Sequence, residues 1–272
     1  MLISLKTVGK EGALEVNGVR LFYIEAGEGP LALLVHGFPL DHRMWLDQLG
    51  NLGDRRCLAV DLRGFGRSAP LPGGLSMELL ADDLAGVVGQ LGESQADVIA
   101  LSMGGYAALA LWELYPEMVR SLALIDTRAE ADTAEGKGRR DAMARQTVER
   151  GRGWLAGTML PTLLAPTAGL TVRARVRTMI EETRYETVVA ALEAMRDRTD
   201  RRVVLQTIDV PVLVLVGELD EVTSPDAARQ MANEVTGARL VEIPQAGHLS
   251  PLERPDDVNH ALAGFLAGAP PQ

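Results

Sequence analysis

Ser102 stands where an apolar run meets two glycines. Residues 97–101 have the composition of a buried strand, and Gly104 and Gly105 open a stretch with helical periodicity. A serine on such a sharp strand-to-helix turn has its hydroxyl pushed out of the path of the backbone, which requires small neighbours. Ala100 stands where glycine is usual, and alanine fits there if its φ is negative. The pattern predicts a nucleophile, with a helix-capping serine as the alternative.

A serine hydroxyl at neutral pH is a poor nucleophile and needs a neighbouring base. The candidates are the four histidines His36, His42, His248 and His260. His248 is favoured because it lies in a loop after the last predicted strand, and parallel sheets place their sites in such loops. We expect His36 to shape a glycine turn, and His42 and His260 to lie on solvated helix surfaces.

The base in turn needs an acid to orient it. Asp220 follows a predicted buried strand, so its carboxylate should emerge at the same sheet edge as the serine and the histidine. Glu218 and Glu221 are close competitors, and Asp126, after the preceding strand, is a more distant one. Asp220 is the preferred acid.

Alternating strands and helices are predicted to position these residues. Strands are indicated at residues 31–35, 57–60, 121–125, 212–216 and 239–243, and most of these runs are apolar throughout, as is typical of strands covered on both faces. Asn17 and Gly18 predict a type I′ turn in an antiparallel hairpin. Ser76 is expected to cap one helix, and Pro116 to end another. The pattern predicts a mostly parallel sheet flanked by helices.

The alternation stops between residues 128 and 203, where the pattern is only helical and is broken by Pro161 and Pro166. This predicts a helical cap (128–203) inserted into an α/β core (1–127 and 204–272). Substrate choice should depend on the cap. Trp45 and Trp154, with Trp112, are candidate pocket walls, and ordinary packing is the alternative. Cap arginines that are candidates to pair with a substrate carboxylate are Arg139, Arg140, Arg145 and Arg152.

The sequence resembles the α/β-hydrolase superfamily over nearly its whole length. The resemblance rests on His36-Gly37, residues 61–68 (Asp-Leu-Arg-Gly-Phe-Gly-Arg-Ser), the turn at Ser102, Gly217-x-x-Asp220 and Gly247-His248. The chain order serine, acid, histidine is that of these enzymes. The resemblance implies an α/β-hydrolase fold, a Ser102-Asp220-His248 triad, and an oxyanion hole formed by the backbone N–H groups of Phe38 and Met103.

Within this superfamily the sequence is similar to small bacterial carboxylesterases, 3-oxoadipate enol-lactonases and cofactor-free perhydrolases. Residues 247–255 and 126–129 resemble the esterases and lactonases, whereas His36-Gly37-Phe38-Pro39 is more like the perhydrolase loop. The resemblance implies cleavage of a small-molecule ester, with lactone hydrolysis or perhydrolysis as alternatives. A ligand-binding receptor that keeps the fold without turnover is a hypothesis of a different class.

Composition limits the partners. The formal net charge of −10 disfavours nucleic acid. The longest apolar runs are far shorter than the roughly 20 residues of a membrane-spanning helix. Residues 1–5 are too short an apolar stretch for a signal peptide, so we expect a cytoplasmic protein without membrane contact. Cys57 is the only cysteine, and the scattered histidines lack metal-ligand spacing, so we expect no metal ion. The triad mechanism that the resemblance implies requires no organic cofactor.

Overall fold

An eight-stranded sheet is the centre of the computed structural model, which describes residues 9–71 and 73–268. Its strands are β1 (Lys10–Val16), β2 (Val19–Ala26), β3 (Leu31–Val35), β4 (Arg56–Val60), β5 (Ala96–Leu101), β6 (Val119–Ile125), β7 (Val212–Gly217) and β8 (Arg239–Ile243). They lie side by side in the order β1-β2-β4-β3-β5-β6-β7-β8. Residues 1–5, on which the signal-peptide argument rests, lie outside the described residues.

The sheet is mostly parallel, as predicted. β2 runs antiparallel to both of its neighbours, β1 and β4, and the remaining pairs are parallel. Asn17 and Gly18 turn the opening hairpin with φ values of 48° and 75°, the positive angles that a type I′ turn requires. Every residue of β3, β5 and β7 is buried, which agrees with the continuous apolar composition of β3 and β7. The buried Asp97 is the one charged residue of β5, and Arg55, Arg120 and Ser121 donate to it.

Ten α-helices accompany the sheet in the described part of the chain. They are α1 (Met77–Gln90), α2 (Met103–Leu114), α3 (Ala134–Arg150), α4 (Arg152–Leu163), α5 (Leu170–Glu182), α6 (Tyr185–Asp197), α7 (Arg202–Leu205), α8 (Pro225–Glu234), α9 (Ser250–Glu253) and α10 (Pro255–Leu266). The Ser76 hydroxyl accepts the Leu79 N–H and begins α1, and α2 ends before Pro116, both as predicted. None of the helices in residues 9–71 and 73–268 is long and apolar enough to cross a bilayer.

The chain between β6 and β7 is helical and contains α3 to α7. Pro166 lies between α4 and α5, but Pro161 lies inside α4 and does not break it. That proline sits in the last turn, where the helix continues for two residues only, so its missing N–H removes a single bond near the end. The division into a core and a cap at residues 128–203 stays a prediction.

Candidate active site

Ser102 occupies the turn between β5 and α2. Its φ of 54° is in the left-handed region, which a residue with a side chain adopts rarely and with strain. The Ser102 N–H donates to the carbonyl oxygen of Ile125, at the end of β6, over 3.0 Å. The strand, turn and helix predicted around this serine are therefore present, and a bond to the neighbouring strand fixes the turn.

Small residues around this turn permit the close packing. A Cβ on Gly104 would lie 2.6 Å from the carbonyl oxygen of Val35, and one on Gly105 would lie 2.4 Å from the hydroxyl oxygen of Thr127. Ala100 is tolerated in place of glycine because it lies within β5 and does not need a positive φ.

The structure brings Ser102, His248 and Asp220 together. His248 Nε2 lies 2.8 Å from Ser102 Oγ, and His248 Nδ1 lies 2.8 Å from Asp220 Oδ2. When Nδ1–H donates to the carboxylate, Nε2 accepts the serine hydroxyl, which is the arrangement of a base beside a nucleophile. The three residues follow β5, β7 and β8, so they share the carboxyl edge of the sheet.

Asp220 is held by a local turn as well as by the histidine. Its Oδ1 accepts the N–H groups of Val222 and Thr223 over 2.7 and 2.9 Å, and its Oδ2 accepts the Thr223 hydroxyl over 2.7 Å. Burial alone would raise the pKa of Asp220, but the charge and hydrogen bond of His248 and the bonds from Thr223 lower it below its ordinary value. The carboxylate is therefore ionised at neutral pH.

The buried His248 ring lies among carboxylates. Burial alone would lower its pKa, because an imidazolium loses its hydration. The charge and hydrogen bond of Asp220, with the charges of Asp126 and Glu253, outweigh burial and raise the pKa of His248 above its ordinary value. These surroundings stabilise the imidazolium that a general base must become.

The two nearest competing acids point elsewhere. Glu218 is exposed, and its Oε2 accepts the Gln245 N–H over 2.9 Å. Glu221 is also exposed. Among the described residues neither carboxylate contacts an imidazole, so the geometry favours Asp220.

Asp126, the third competitor, is fully buried at the end of β6. Its Oδ1 accepts the Gly217 N–H over 2.8 Å, and its Oδ2 accepts the N–H and hydroxyl of Ser250 over 3.2 and 2.6 Å. Burial and the charge of Asp220 raise the pKa of Asp126 to about 8. Asp126 therefore ties together the loops that carry Asp220 and His248.

The loop after β3 is pressed onto the serine turn. A Cβ on Gly37 would lie 2.7 Å from Leu101 Cδ2 and 3.2 Å from Ser102 Cβ, so glycine is needed there. In the part of the chain that the structure describes, the backbone N–H groups of Phe38 and Met103 donate to no protein acceptor. Both remain available to a ligand oxygen, as an oxyanion hole requires.

His36 joins this loop to the loop after β4. Its Nδ1–H donates to the carbonyl oxygen of Gly37 over 2.9 Å, and its Nε2 accepts the Leu62 N–H over 3.1 Å. Burial lowers the pKa of His36, which keeps the ring neutral with a fixed tautomer. These contacts agree with the loop-shaping role expected of it.

The expectation that His42 lies on a solvated surface is wrong, whereas His260 is exposed as expected. The side chain and backbone of His42 both donate to Asp61 Oδ1, over 2.8 and 2.7 Å. Asp61 is fully buried, and a buried carboxylate needs donors, so His42 is drawn inward.

Asp41, His42 and Asp61 form a group of potential metal ligands that sequence spacing did not single out, with ligand atoms within 4.8 Å of one another. Their carboxylates already have partners. Asp61 also accepts the Arg67 N–H over 2.8 Å, and Asp41 accepts two guanidinium donors of Arg43 over 2.8 and 2.6 Å. The geometry favours a hydrogen-bonded cluster over a cation site.

The tryptophans are placed mainly in packing positions. Trp45 is completely buried in the hydrophobic core. Trp112 donates from Nε1 to the Thr207 hydroxyl over 3.0 Å, and Trp154 is half-buried against the core with the Arg150 guanidinium 5.7 Å from its ring centre. The substrate-binding roles of Trp45 and Trp154 stay predictions.

The sequence did not predict two threonines that hydrogen-bond to residues of the site, Thr127 to Ser102 and Thr223 to Asp220. Thr127 donates its hydroxyl to the Ser102 carbonyl oxygen over 2.8 Å, a contact between residues far apart in the chain that no local pattern indicates. Thr223 was detectable, because an aspartate that accepts N–H groups two and three residues later is a common turn signal.

This fold, with a serine after β5, an acid after β7 and a histidine after β8, is that of the α/β hydrolases. The chain belongs to the alpha/beta hydrolase family, which matches residues 32–261.

Solved structures and a curated relative agree with this membership. A malate-bound thermophilic esterase from Thermogutta terrifontis is 36% identical with a TM-score of 0.91, and the match covers 95% of this chain and 98% of that one. The enol-lactonase from Burkholderia xenovorans LB400 is 31% identical with a TM-score of 0.87, covering 94% of this chain and 100% of that one. The pimeloyl-[acyl-carrier protein] methyl ester esterase of Chromobacterium violaceum is 29% identical over 91% of this chain and 98% of its own length.

Proposed function

We propose that this protein hydrolyses carboxylic esters of small molecules through an acyl-enzyme formed on Ser102. The observation that carries the proposal is the continuous hydrogen-bonded series from Ser102 Oγ through the His248 ring to Asp220, with 2.8 Å at each step. A strained turn presents the serine, and among the described residues the N–H groups of Phe38, in the loop after β3, and of Met103, at the start of α2, donate to no protein acceptor.

The proposed reaction has two halves. His248 takes the Ser102 proton as Oγ attacks the ester carbonyl, and Asp220 orients and stabilises the resulting imidazolium. The N–H groups of Phe38 and Met103 hold the tetrahedral oxyanion. His248 then protonates the leaving alkoxide, and a water molecule activated by the same ring releases the acid and restores Ser102.

A test compares the wild type with Ser102→Ala on short p-nitrophenyl esters. We expect Ser102→Ala to reduce kcat/KM by about 10⁴-fold or more, because the nucleophile is lost while binding is kept. Comparable activity in both proteins would overturn the serine mechanism. Activity in neither would favour a ligand-binding receptor.

A second candidate is hydrolysis of esters or lactones that carry a carboxylate. The supporting observation is Asp132, whose carboxylate is shared by the guanidinium groups of Arg128, Arg140 and Arg198. Three guanidinium groups therefore share one side-chain carboxylate. The malate-bound esterase and the enol-lactonase among the similar structures are consistent with such substrates.

Two of these arginines, Arg128 and Arg198, lie near the serine turn. Thr127, which contacts the Ser102 carbonyl, precedes Arg128 directly. Tyr106, whose N–H donates to the same carbonyl over 3.3 Å, has the Arg198 guanidinium 4.3 Å from its ring centre. The buried Nε of Arg128 has no hydrogen-bond partner within the described residues, so a donor remains for an anion.

A further inference from the structure

Glu253, the last residue of α9, bridges two segments of the chain. Its Oε1 accepts the Gly247 N–H over 2.9 Å, and its Oε2 accepts the Ala165 N–H over 2.8 Å. Gly247 directly precedes His248, and Ala165 lies in the connection between α4 and α5. A single carboxylate therefore joins the histidine loop to the helical segment above it.

The two segments are in direct backbone contact. A Cβ on Gly247 would lie 2.6 Å from the Ala165 nitrogen and 3.0 Å from the Leu164 carbonyl carbon, so only glycine permits this approach. Leu164 and Ala165 are both 2% exposed. Two buried N–H groups this close together each need an acceptor, and the two oxygens of the Glu253 carboxylate provide one for each.

The helical side of the bridge is itself anchored. Arg173 of α5 donates from Nη2 to the Ala165 and Pro166 carbonyl oxygens over 2.8 and 3.1 Å, and from Nε to Ala168 over 3.1 Å. A shift of the connection between α4 and α5 would therefore be transmitted through Ala165 and Glu253 to the histidine loop.

Glu253 also contributes to the charge around the ring. The acidic side chains that raise the pKa of His248 are Asp220 from the loop after β7, Asp126 from the end of β6, and Glu253 from α9. Burial raises the pKa of Glu253, while the N–H groups of Ala165, Gly247 and Leu249 oppose that rise by stabilising the ionised carboxylate.

We propose that Glu253 is a positioning residue for His248, which fixes the histidine loop against the α4–α5 connection so that the orientation of the ring depends on the helical segment. The catalytic part of this proposal rests on the proposed function, because it takes His248 as the base. The bridge itself rests on the geometry of the Glu253 hydrogen bonds, and amide hydrogen exchange tests it independently of activity.

Glu253→Gln keeps the size of the side chain but turns one acceptor into an amide donor that faces an N–H group. We expect kcat/KM to fall between about 10-fold and 100-fold, since small misplacements of a catalytic group have effects of this size. The negative charge of Glu253 raises the pKa of His248, so its removal should lower that pKa. The acid limb of the pH profile of kcat/KM should therefore move to lower pH, because the ring stays neutral at lower pH.

Glu182→Gln is the matched control. Glu182 ends α5 and pairs with Arg43 over 2.7 Å, so it also joins the helical segment to the rest of the molecule, but it does not face His248. We expect it to change kcat/KM by less than about 2-fold, as surface ion pairs contribute little. An equal effect of both variants would show that general loosening is responsible and would overturn the positioning role.

Ala165→Pro removes one donor and keeps the Glu253 side chain, and the proline Cδ, which replaces the amide hydrogen, separates the Glu253 carboxylate from residue 165. Leu164 has φ −122° and ψ 138°, a conformation that a following proline accepts. We expect a loss of kcat/KM, with a smaller shift of the acid limb of the pH profile than in Glu253→Gln, because the carboxyl group is kept. If Glu253→Gln does not fold, this variant decides the proposal, because wild-type kcat/KM in Ala165→Pro would overturn it.

Amide hydrogen exchange tests the bridge without reference to activity. In Glu253→Gln, the amides of residues 164–165 and 247–249 should exchange faster, and in Glu182→Gln they should not. Unchanged exchange at Gly247 in Glu253→Gln would overturn the bridge. If Ser102→Ala keeps its activity the proposed function fails, and the exchange result still decides the bridge.

Discussion

At the scale of the residue, the choice between Asp220 and Asp126 defines the site. Both carboxylates are buried near His248, but the imidazole hydrogen-bonds to Asp220, whereas Asp126 is occupied by backbone N–H groups and Ser250. Asp220→Asn should reduce kcat about 10⁴-fold, because the wrong tautomer of the histidine is then favoured. Ester hydrolysis under saturating substrate measures this loss.

The pH dependence of the same variant has a defined sign. In the proposed mechanism the neutral His248 ring is the base, so activity should be lost as pH falls through the pKa of His248, which Asp220 raises in the wild type. In Asp220→Asn the acid limb should therefore move to lower pH. Asp126→Asn is the control, with a loss below about 10-fold expected, since it acts through the loops. A loss in Asp126→Asn as large as in Asp220→Asn would contradict the assignment of the acid.

At the scale of the element, close packing of α2 against β3 shapes the serine turn. A Cβ on Gly104 would meet the backbone oxygens of Val35 and His36 at 2.6 and 2.8 Å, and neither can move aside freely. Gly104→Ala should lower the free energy of unfolding by about 1–3 kcal/mol, as overpacking does. Chemical denaturation measures the change.

Gly89 in α1 offers a matched control for that substitution. Nothing lies within 4 Å of a Cβ built there, so Gly89→Ala should raise the free energy of unfolding by about 0.5–1 kcal/mol through helix propensity alone. If both variants shifted stability in the same direction, the tight contact at Gly104 would not be the cause.

The elements were predictable to the extent that local pattern determines them. Two-sided burial makes β3 and β7 apolar throughout, and the Asn17-Gly18 turn and the Ser76 cap have their own local signals. The burial of His42 was not predictable, because it depends on a hydrogen bond to Asp61, which follows β4, whereas His42 follows β3.

The same limit applied to the supporting residues of the site. Glu253 lies 88 residues from its partner Ala165 in the sequence, and Thr127 lies 25 residues from Ser102. Hydrophobic periodicity reflects only local structure and cannot predict contacts at such separations. Motifs therefore predicted which residues to bring together, whereas the groups that hold them in place emerged only from the fold.

At the scale of the whole molecule, a net charge of −10 opposes the approach of the anionic substrate proposed as the second candidate, while we expect the cluster of Arg128, Arg140 and Arg198 around Asp132 to attract it locally. In about 0.15 M salt the long-range repulsion is screened beyond about 8 Å, so the local arginines should dominate.

Arg128→Gln should raise KM for p-nitrophenyl hydrogen succinate about 10-fold, the effect of losing one charged hydrogen bond. KM for the uncharged p-nitrophenyl butyrate should stay within about 2-fold, because that ester has no carboxylate to lose its partner. Arg139→Gln is the control, since Arg139 pairs only with the exposed Glu135 among the described residues and should leave both esters unaffected. Parallel changes in KM on the two esters would show that Arg128 supports the fold and does not select an anion.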